Sequence, residues 1–210
     1  MRQKRHKFNK KMNNSLIKNS LKKTISYPAY RNLIKNLISA EKSTGTEQSE
    51  THLTFSILND KRMDRLDKTL TISAATQNSL DNLKKRFTLL VIAESWCGDA
   101  AQILPIINKV AQATDKIDFK IVLRDENEDL MNQYLTNGSK SIPKVLILDP
   151  ENNVLDSWGP RPAVATQMVA DYKAQNGSID EELKKNLQVW YNKDKGHNTK
   201  NELIGLLHAN

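Results

Sequence analysis

Apolar residues recur along this chain in two spacings, and the change between them locates its secondary structure. From about residue 15 to residue 86, apolar residues repeat at three- and four-residue steps, which is typical of helices with one buried face. Short continuous or alternating apolar runs follow, and these are typical of strands. The predicted strands are Phe87 to Ala93, Ile117 to Leu123, Lys144 to Leu148 and Val154 to Trp158. Helical spacing returns after residue 162.

The predicted helices lie on both sides of the strand region and between its strands. Pro28 interrupts the first helical pattern and marks the start of a helix that the Ser43–Thr46 loop ends. The other predicted helices are Thr51 to Lys68, about Thr76 to Arg86, one from Ala100, about Glu128 to Leu135, about Ala163 to Gln175, Ile179 to Tyr191 and a short Asn201 to Leu207. Whether the N-terminal helices pack on the sheet or form a separate arm stays open.

This order divides the chain into four segments and predicts an α/β fold. The segments are a basic disordered tail (1–14), an N-terminal helical segment (15–75), a central domain (76–175) and a C-terminal helical extension (176–210). In the central domain, two strands joined through a helix favour a parallel pair with a right-handed crossover. The turn at 149–153 closes a hairpin that adds antiparallel strands. We therefore predict a mixed four-stranded sheet flanked by helices.

The net charge of +8 belongs to the beginning of the chain. Residues 1–23 carry nine basic residues and no acidic one, which leaves a net charge of −1 for residues 24–210. We therefore expect no specific nucleic-acid partner, although such a tail could touch RNA or anionic lipid non-specifically. No apolar run approaches the roughly 20 residues that cross a bilayer. With a single cysteine and no apolar secretory signal, the sequence favours a cytoplasmic protein.

The only cysteine, Cys97, lies where the first strand turns into a helix, and it is the first candidate for chemistry. The N-terminus of a helix favours a thiolate and lowers the pKa of a thiol, whereas Asp99 opposes this with a negative charge. A position in a turn also favours exposure. We expect Cys97 to be a reactive nucleophile. The alternative is a small buried apolar residue, which is the common role of a lone free cysteine.

Three other side chains could support this site. Trp96 could form part of a docking surface or simply pack as a half-buried aromatic. Arg124 ends the second strand and could face Cys97, or it could pair with a neighbouring acid such as Asp125. Arg161, between two prolines, is interpreted as a structural clamp. The four histidines are scattered without metal-ligand spacing, so neither a metal nor another cofactor is expected.

The strand order and several short motifs resemble the thioredoxin family over about residues 76–175, in particular one bacterial thioredoxin-like branch. The motifs are Glu94-Ser95-Trp96-Cys97-Gly98-Asp99, Leu123 to Asn127, Tyr134 to Gly138, Ser141-Ile142-Pro143 and Trp158 to Pro162. The resemblance implies that Cys97 is the nucleophile and that a cis peptide precedes Pro143 beside it. It also implies that Ile142 and Pro143 form the substrate-docking loop. From their positions, we expect Trp96 to add to this docking surface and Gly98, Asp99 and Arg124 to support the site.

The sequence departs from the family at two positions that matter for its chemistry. Ala100 stands where the Cys-x-x-Cys motif has its second cysteine, and Val91 stands where many thioredoxins carry a buried Asp. Without a second sulfur, Cys97 cannot release a disulfide-linked partner alone. We therefore predict a monothiol oxidoreductase that acts on protein disulfides or mixed disulfides with an external thiol, for which glutathione is a candidate. The alternatives are a non-catalytic binding module and a peroxide sensor that forms a Cys97 sulfenate.

Overall fold

Four strands form one mixed sheet in the computed structural model, which describes residues 15–210. The tail predicted for residues 1–14 lies outside these described residues. The strands are β1 (Phe87–Ala93), β2 (Ile117–Leu123), β3 (Lys144–Leu148) and β4 (Val154–Trp158), in the spatial order β2-β1-β3-β4. β1 runs parallel to β2, whereas β3 runs antiparallel to both β1 and β4. The predicted α/β fold with a mixed four-stranded sheet is confirmed.

Helices surround this sheet and occupy most of the remaining chain. They are α1 (Tyr27–Ser39), α2 (Glu50–Thr69), α3 (Ala74–Asp81), α4 (Gly98–Gln112), α5 (Glu128–Gln133), α6 (Ala163–Asn176), α7 (Glu181–Asp194) and α8 (His197–Ala209). Residues 15–21 are also helical. Side-chain caps explain several starts, since Ser49 accepts a hydrogen bond from the His52 N–H at 3.2 Å and Ser73 one from the Thr76 N–H at 3.2 Å.

Two helices differ clearly from their predicted lengths. α3 ends at Asp81 rather than near Arg86. The side-chain amide of Asn82 donates a hydrogen bond to the Asn78 carbonyl at 2.8 Å and caps the last turn. α8 begins at His197 rather than Asn201. Its first turn faces inward through Thr199, which is fully buried. Because Thr199 is polar, it is not counted in a repeat of apolar residues. The predicted helix therefore began about one turn too late.

β1 is the buried centre of the molecule. From Leu89 to Ala93 no residue is more than 1% exposed, so both faces of the strand are covered. Complete burial of such a side chain stabilises a fold by roughly 1.5–3 kcal/mol relative to leaving it in water. α4 packs against this strand and presents Ile103, Leu104 and Ile107 to the same core. The continuous apolar run in the sequence therefore reflects burial on two sides.

The N-terminal helices pack on the sheet, and this answers the question that the sequence left open. Tyr30, Ile34 and Met63 belong to the same apolar core as β1 and α4. Arg31 of α1 is 6% exposed and forms ion pairs with three aspartates of α2 that share one helix face. These are Asp60, Asp64 and Asp67. α1 and α2 are thus joined by apolar contacts and by a compensated buried charge.

The C-terminal helices contact the main body in different ways. α8 contributes Leu203, Ile204 and Leu207 to the main core. α6 and α7 instead pack on each other through a small separate cluster of Ala165, Val169, Leu183 and Leu187. Toward the main core, α7 presents Tyr191 and Trp190. Through Tyr191, this face of α7 also reaches Asp99, two residues after Cys97.

A glycine is required at position 159, directly after β4, because of the backbone conformation there and because of the atoms around it. Its φ is +108°, and a Cβ at this position would lie 2.3 Å from the carbonyl oxygen of Pro143. The close approach brings the loop after β4 against the Ile142–Pro143 segment. No side chain fits here without a shift of the backbone.

We therefore expect Gly159→Ala to lower the free energy of unfolding by more than about 2 kcal/mol, measured by urea denaturation, because it adds a clash to the backbone strain. Gly138→Ala is the matched control. Its φ is +76°, but no atom of residues 15–210 outside the glycine and its two chain neighbours lies within 4 Å of the added Cβ. It should cost only about 1 kcal/mol, the cost of the backbone conformation alone. Equal losses in both variants would contradict this account of Gly159.

Candidate functional site

Cys97 is the N-cap of α4 and lies directly beside the proline loop that precedes β3. Its thiol donates a hydrogen bond to the Ile142 carbonyl at 3.2 Å and accepts one from the Ala100 N–H at 3.4 Å. The peptide bond between Ile142 and Pro143 is cis. The tertiary structure therefore brings Cys97 next to Ile142 and Pro143, although Cys97 and Ile142 are 45 residues apart in the sequence.

The expectation that Cys97 is exposed and has a lowered pKa is wrong. The residue is only 8% exposed. Burial, and then the negative charge of Asp99, raise the pKa of the Cys97 thiol to about 12, although the N–H groups of Ala100 and Asp99 and the Arg161 guanidinium act in the opposite direction. The helix N-terminus does favour the thiolate, but loss of hydration outweighs it. At neutral pH Cys97 is a neutral thiol.

Asp99 is held from two sides by residues that are distant in the sequence. Its Oδ2 lies 2.7 Å from Arg161 Nη2, and its Oδ1 accepts a hydrogen bond from the Tyr191 hydroxyl at 2.8 Å. The pKa of Asp99 is raised above its usual range because of burial, although Arg161 and Tyr191 act in the opposite direction. Arg161 is therefore a clamp, as predicted, and the group that it holds is the carboxylate beside Cys97.

Trp96 and Arg124 form a separate group on the other side of the turn. The Trp96 ring stacks on His52 of α2 with centroids 4.6 Å apart, and the Arg124 guanidinium lies 4.7 Å from the ring centroid. Arg124 also pairs with Asp125, with Nε 2.8 Å from Oδ1. Of the two roles considered for Arg124, the structure shows the pairing with Asp125. The cation that acts on Cys97 is Arg161.

A buried polar network fixes the turn just before Cys97. Ser95 is 2% exposed, and its hydroxyl accepts hydrogen bonds from the Thr44 N–H and hydroxyl, both at 3.1 Å. The Ser56 hydroxyl lies 2.7 Å from the same oxygen, and the Asn59 amide donates to the Ser95 carbonyl at 2.8 Å. The loop before α2 and α2 itself thereby hold the Cys97 turn in place.

Glu94 also belongs to this buried region. It is fully buried, and its Oε1 accepts a hydrogen bond from the Asp125 N–H at 3.0 Å. Burial raises the pKa of Glu94, while hydrogen bonds with Thr44 and Asp125 lower it. Glu94 thus ties the segment after β1 to the segment after β2.

Sequence reasoning missed the contribution of α7. Tyr191 holds Asp99, and Gln188 accepts a hydrogen bond from the Gln102 amide at 2.8 Å. The Gln188 amide also lies 3.3 Å from the place that a Cβ on Gly98 would take. One signal was present: Leu187 and Tyr191 are four residues apart and share a helix face, and a buried tyrosine hydroxyl requires a partner. The sequence does not indicate that Asp99 is the partner of the Tyr191 hydroxyl.

Within residues 15–210, no group of three or more His, Cys, Asp or Glu side chains is placed to hold a metal ion. No helix in the same part of the chain combines the length and apolar character that a bilayer crossing requires.

The fold and this site together define a class of protein. A cysteine at the start of the helix after β1, next to a cis proline before β3, in a β2-β1-β3-β4 sheet, is the arrangement of a thioredoxin-like protein. A family model described as Thioredoxin matches residues 45–173, more than half of the chain. The chain belongs to the thioredoxin family.

Solved structures show the same fold at low sequence identity. A protein of unknown function from Pseudomonas aeruginosa is 18% identical, with a TM-score of 0.57, and the match covers 82% of this chain and 95% of that one. An HIV epitope-scaffold is 20% identical, with a TM-score of 0.55 and coverage of 84% and 98%. No curated protein matches the chain significantly. These likenesses support the fold, and the chemistry has to be argued from the site.

We expect Ser95→Ala to destabilise the protein by roughly 1–3 kcal/mol in urea denaturation, because it leaves the Thr44 and Ser56 hydroxyls buried with fewer partners. Ser79→Ala is the matched control. The Ser79 hydroxyl bonds to His208, at 2.9 Å in an exposed contact. Its loss should change stability by no more than about 0.5 kcal/mol. A Ser95→Ala effect as small as that of the control would contradict the network.

We expect alkylation of native Cys97 to be slow near neutral pH and to rise about tenfold for each pH unit up to about pH 10, because the thiolate fraction grows in this way below a pKa of about 12. Iodoacetamide labelling followed by intact mass measures the rate. The urea-unfolded chain is the control, and its rate should level off near pH 9, as for an ordinary cysteine. A native profile that levels off at the same pH would contradict a raised pKa.

Proposed function

We propose that this chain is a thioredoxin-family thiol-redox protein in which Cys97 is the single reactive cysteine. It acts on protein disulfides or mixed disulfides and depends on an external thiol. The observation that carries this proposal is the 3.2 Å contact between the Cys97 sulfur and the Ile142 carbonyl, next to the cis peptide before Pro143. A partner chain bound along the proline loop would meet the Cys97 sulfur at this contact, which supports the proposal.

The reaction takes place in two exchanges. Cys97 loses its proton, and its thiolate attacks one sulfur of a disulfide. A new disulfide then joins Cys97 to that sulfur, while the other sulfur leaves as a thiolate and takes up a proton. Ala100 offers no second sulfur, so the mixed disulfide is opened by an external thiol such as glutathione. The external thiol loses its proton, and its thiolate attacks the partner sulfur and forms a new disulfide with it. Cys97 leaves as a thiolate and takes up a proton, which restores the free thiol.

The surrounding residues support binding rather than bond formation. Ile142 and Pro143 would align the partner backbone, and Trp96 would supply an apolar contact at the edge of the site. The Ala100 N–H, 3.4 Å from the sulfur, would stabilise the thiolate once it forms. Because Cys97 is buried, the attack follows docking of a partner that opens the turn. A reducing compartment such as the cytoplasm would supply the required thiol.

A second function is a non-catalytic binding module that uses the same proline loop. The burial of Cys97 and its pKa of about 12 favour this alternative, since little thiolate exists at neutral pH. Ala100 favours it too, because a dithiol cycle is impossible. In this case the thiol would serve only as a hydrogen-bond donor to the Ile142 carbonyl, and partners would bind without a covalent step.

Turnover of a glutathione mixed disulfide separates the two functions. We expect the wild type to convert a glutathionylated peptide and free glutathione into the reduced peptide and oxidised glutathione, since Cys97 takes the glutathione sulfur and a second glutathione removes it. We expect Cys97→Ser to fall to the uncatalysed rate. Cys97→Ser keeps a hydroxyl that can donate to the Ile142 carbonyl, so we expect its thermal denaturation midpoint to stay close to that of the wild type. Equal activities in the two proteins would leave only the binding module.

A further inference from the structure

The Asp99 carboxylate is an unusual neighbour for a thiol that has to ionise. It lies at the second position of α4, two residues after Cys97, and the residue is 8% exposed. Arg161 from the loop after β4 and Tyr191 from α7 bind one oxygen each, at 2.7 Å and 2.8 Å. Its charge is therefore held in a fixed place, out of water, next to the reactive sulfur.

Asp99 and Arg161 are the charged side chains that act on the ionisation of Cys97. Tyr30 of α1 and Tyr191 of α7 lie near the sulfur, but burial raises the pKa of both well above its ordinary value, so both are neutral. Arg62 of α2 approaches from the side of Gly98, where its Nη1 lies 3.7 Å from the place of an added Cβ. Within a site this dry, charge interactions are much stronger than in water.

We propose that Asp99 regulates the Cys97 site: its carboxylate, fixed between Arg161 and Tyr191, holds Cys97 in the thiol form, and Arg161 is the counter-charge that limits this effect. Asp99 and Arg161 are positioning residues in this scheme, because they act on the thiol through its charge environment. Without the Asp99 carboxylate, Cys97 should lose its proton more readily. Removal of Arg161 should make the same ionisation harder.

This regulation gives α7 a part in the site. Tyr191 lies beyond residues 45–173, the part of the chain that the family model matches, so a residue of the C-terminal extension completes the cluster. A partner that draws Tyr191 or Asp99 away from Cys97 would raise the thiolate fraction at the moment of docking. The biological use of this arrangement rests on the proposed redox function, whereas the charge effect itself does not.

The test is the rate of iodoacetamide alkylation of Cys97 at about pH 8.5, measured by intact mass on the full chain. We expect Asp99→Asn to react about tenfold faster than the wild type, because loss of a nearby like charge lowers a pKa by about one unit or more. We expect Arg161→Gln to react at least about threefold more slowly, because its positive charge no longer favours the thiolate.

Opposite signs are the decisive result, since loosening of the structure can only accelerate alkylation. Asp99→Glu retains the charge and Gln188→Ala loosens the α7 contact without a change of charge, so both serve as controls. Rates that rise in both Asp99→Asn and Arg161→Gln would overturn the proposal, as would an Asp99→Asn rate no higher than that of Asp99→Glu. If Asp99→Asn does not fold, Arg161→Gln decides alone: a slower rate supports the proposal and any other rate overturns it.

The outcome is independent of the disulfide assay. Iodoacetamide reports on the thiol whether or not the protein turns over a disulfide. Opposite rate changes without turnover of the mixed disulfide would support the charge effect and refute the redox function. Turnover without those rate changes would do the reverse.

Discussion

Burial of β1 on both faces is the constraint on which the rest of the structure depends. The strand runs through the centre of the sheet, and the chain leaves it without reaching the surface. Glu94 and Ser95 are 0% and 2% exposed, and Cys97 and Asp99 are each 8% exposed. Buried polar and charged groups destabilise a fold unless they have partners. The helices that cover β1 therefore also have to satisfy the turn that follows it.

Each covering element meets this requirement at a different point. The loop before α2 and α2 itself bind Ser95 through Thr44, Ser56 and Asn59. α7 and the loop after β4 hold Asp99 through Tyr191 and Arg161. The proline loop accepts the Cys97 thiol through the Ile142 carbonyl. The candidate site is thus a meeting point of segments from the whole described chain, and the added helices support it on two sides.

The same burial decides the electrostatic state of Cys97. A helix N-terminus stabilises a thiolate typically by less than 1 kcal/mol at an exposed position, and by no more than about 2 kcal/mol elsewhere. Loss of hydration can shift a pKa by several units, and here it has the larger effect. The resting protein therefore holds a neutral thiol. Chemistry at this site depends on a change in the surroundings of the sulfur, which makes the helices around it as relevant as the cysteine.

The sequence by itself determined the sheet, the family resemblance and the location of the candidate site. Strand periodicity and short motifs such as Ile142-Pro143 are properties of a few neighbouring residues, so the sequence alone was enough to predict where the strands and the candidate site lie. Burial of Cys97, the pairing of Arg124 with Asp125 and the grip of Tyr191 on Asp99 were decided only by the tertiary structure. Hydration and pairing of charges depend on which distant segments lie side by side, and Asp99 and Tyr191 are 92 residues apart in the chain.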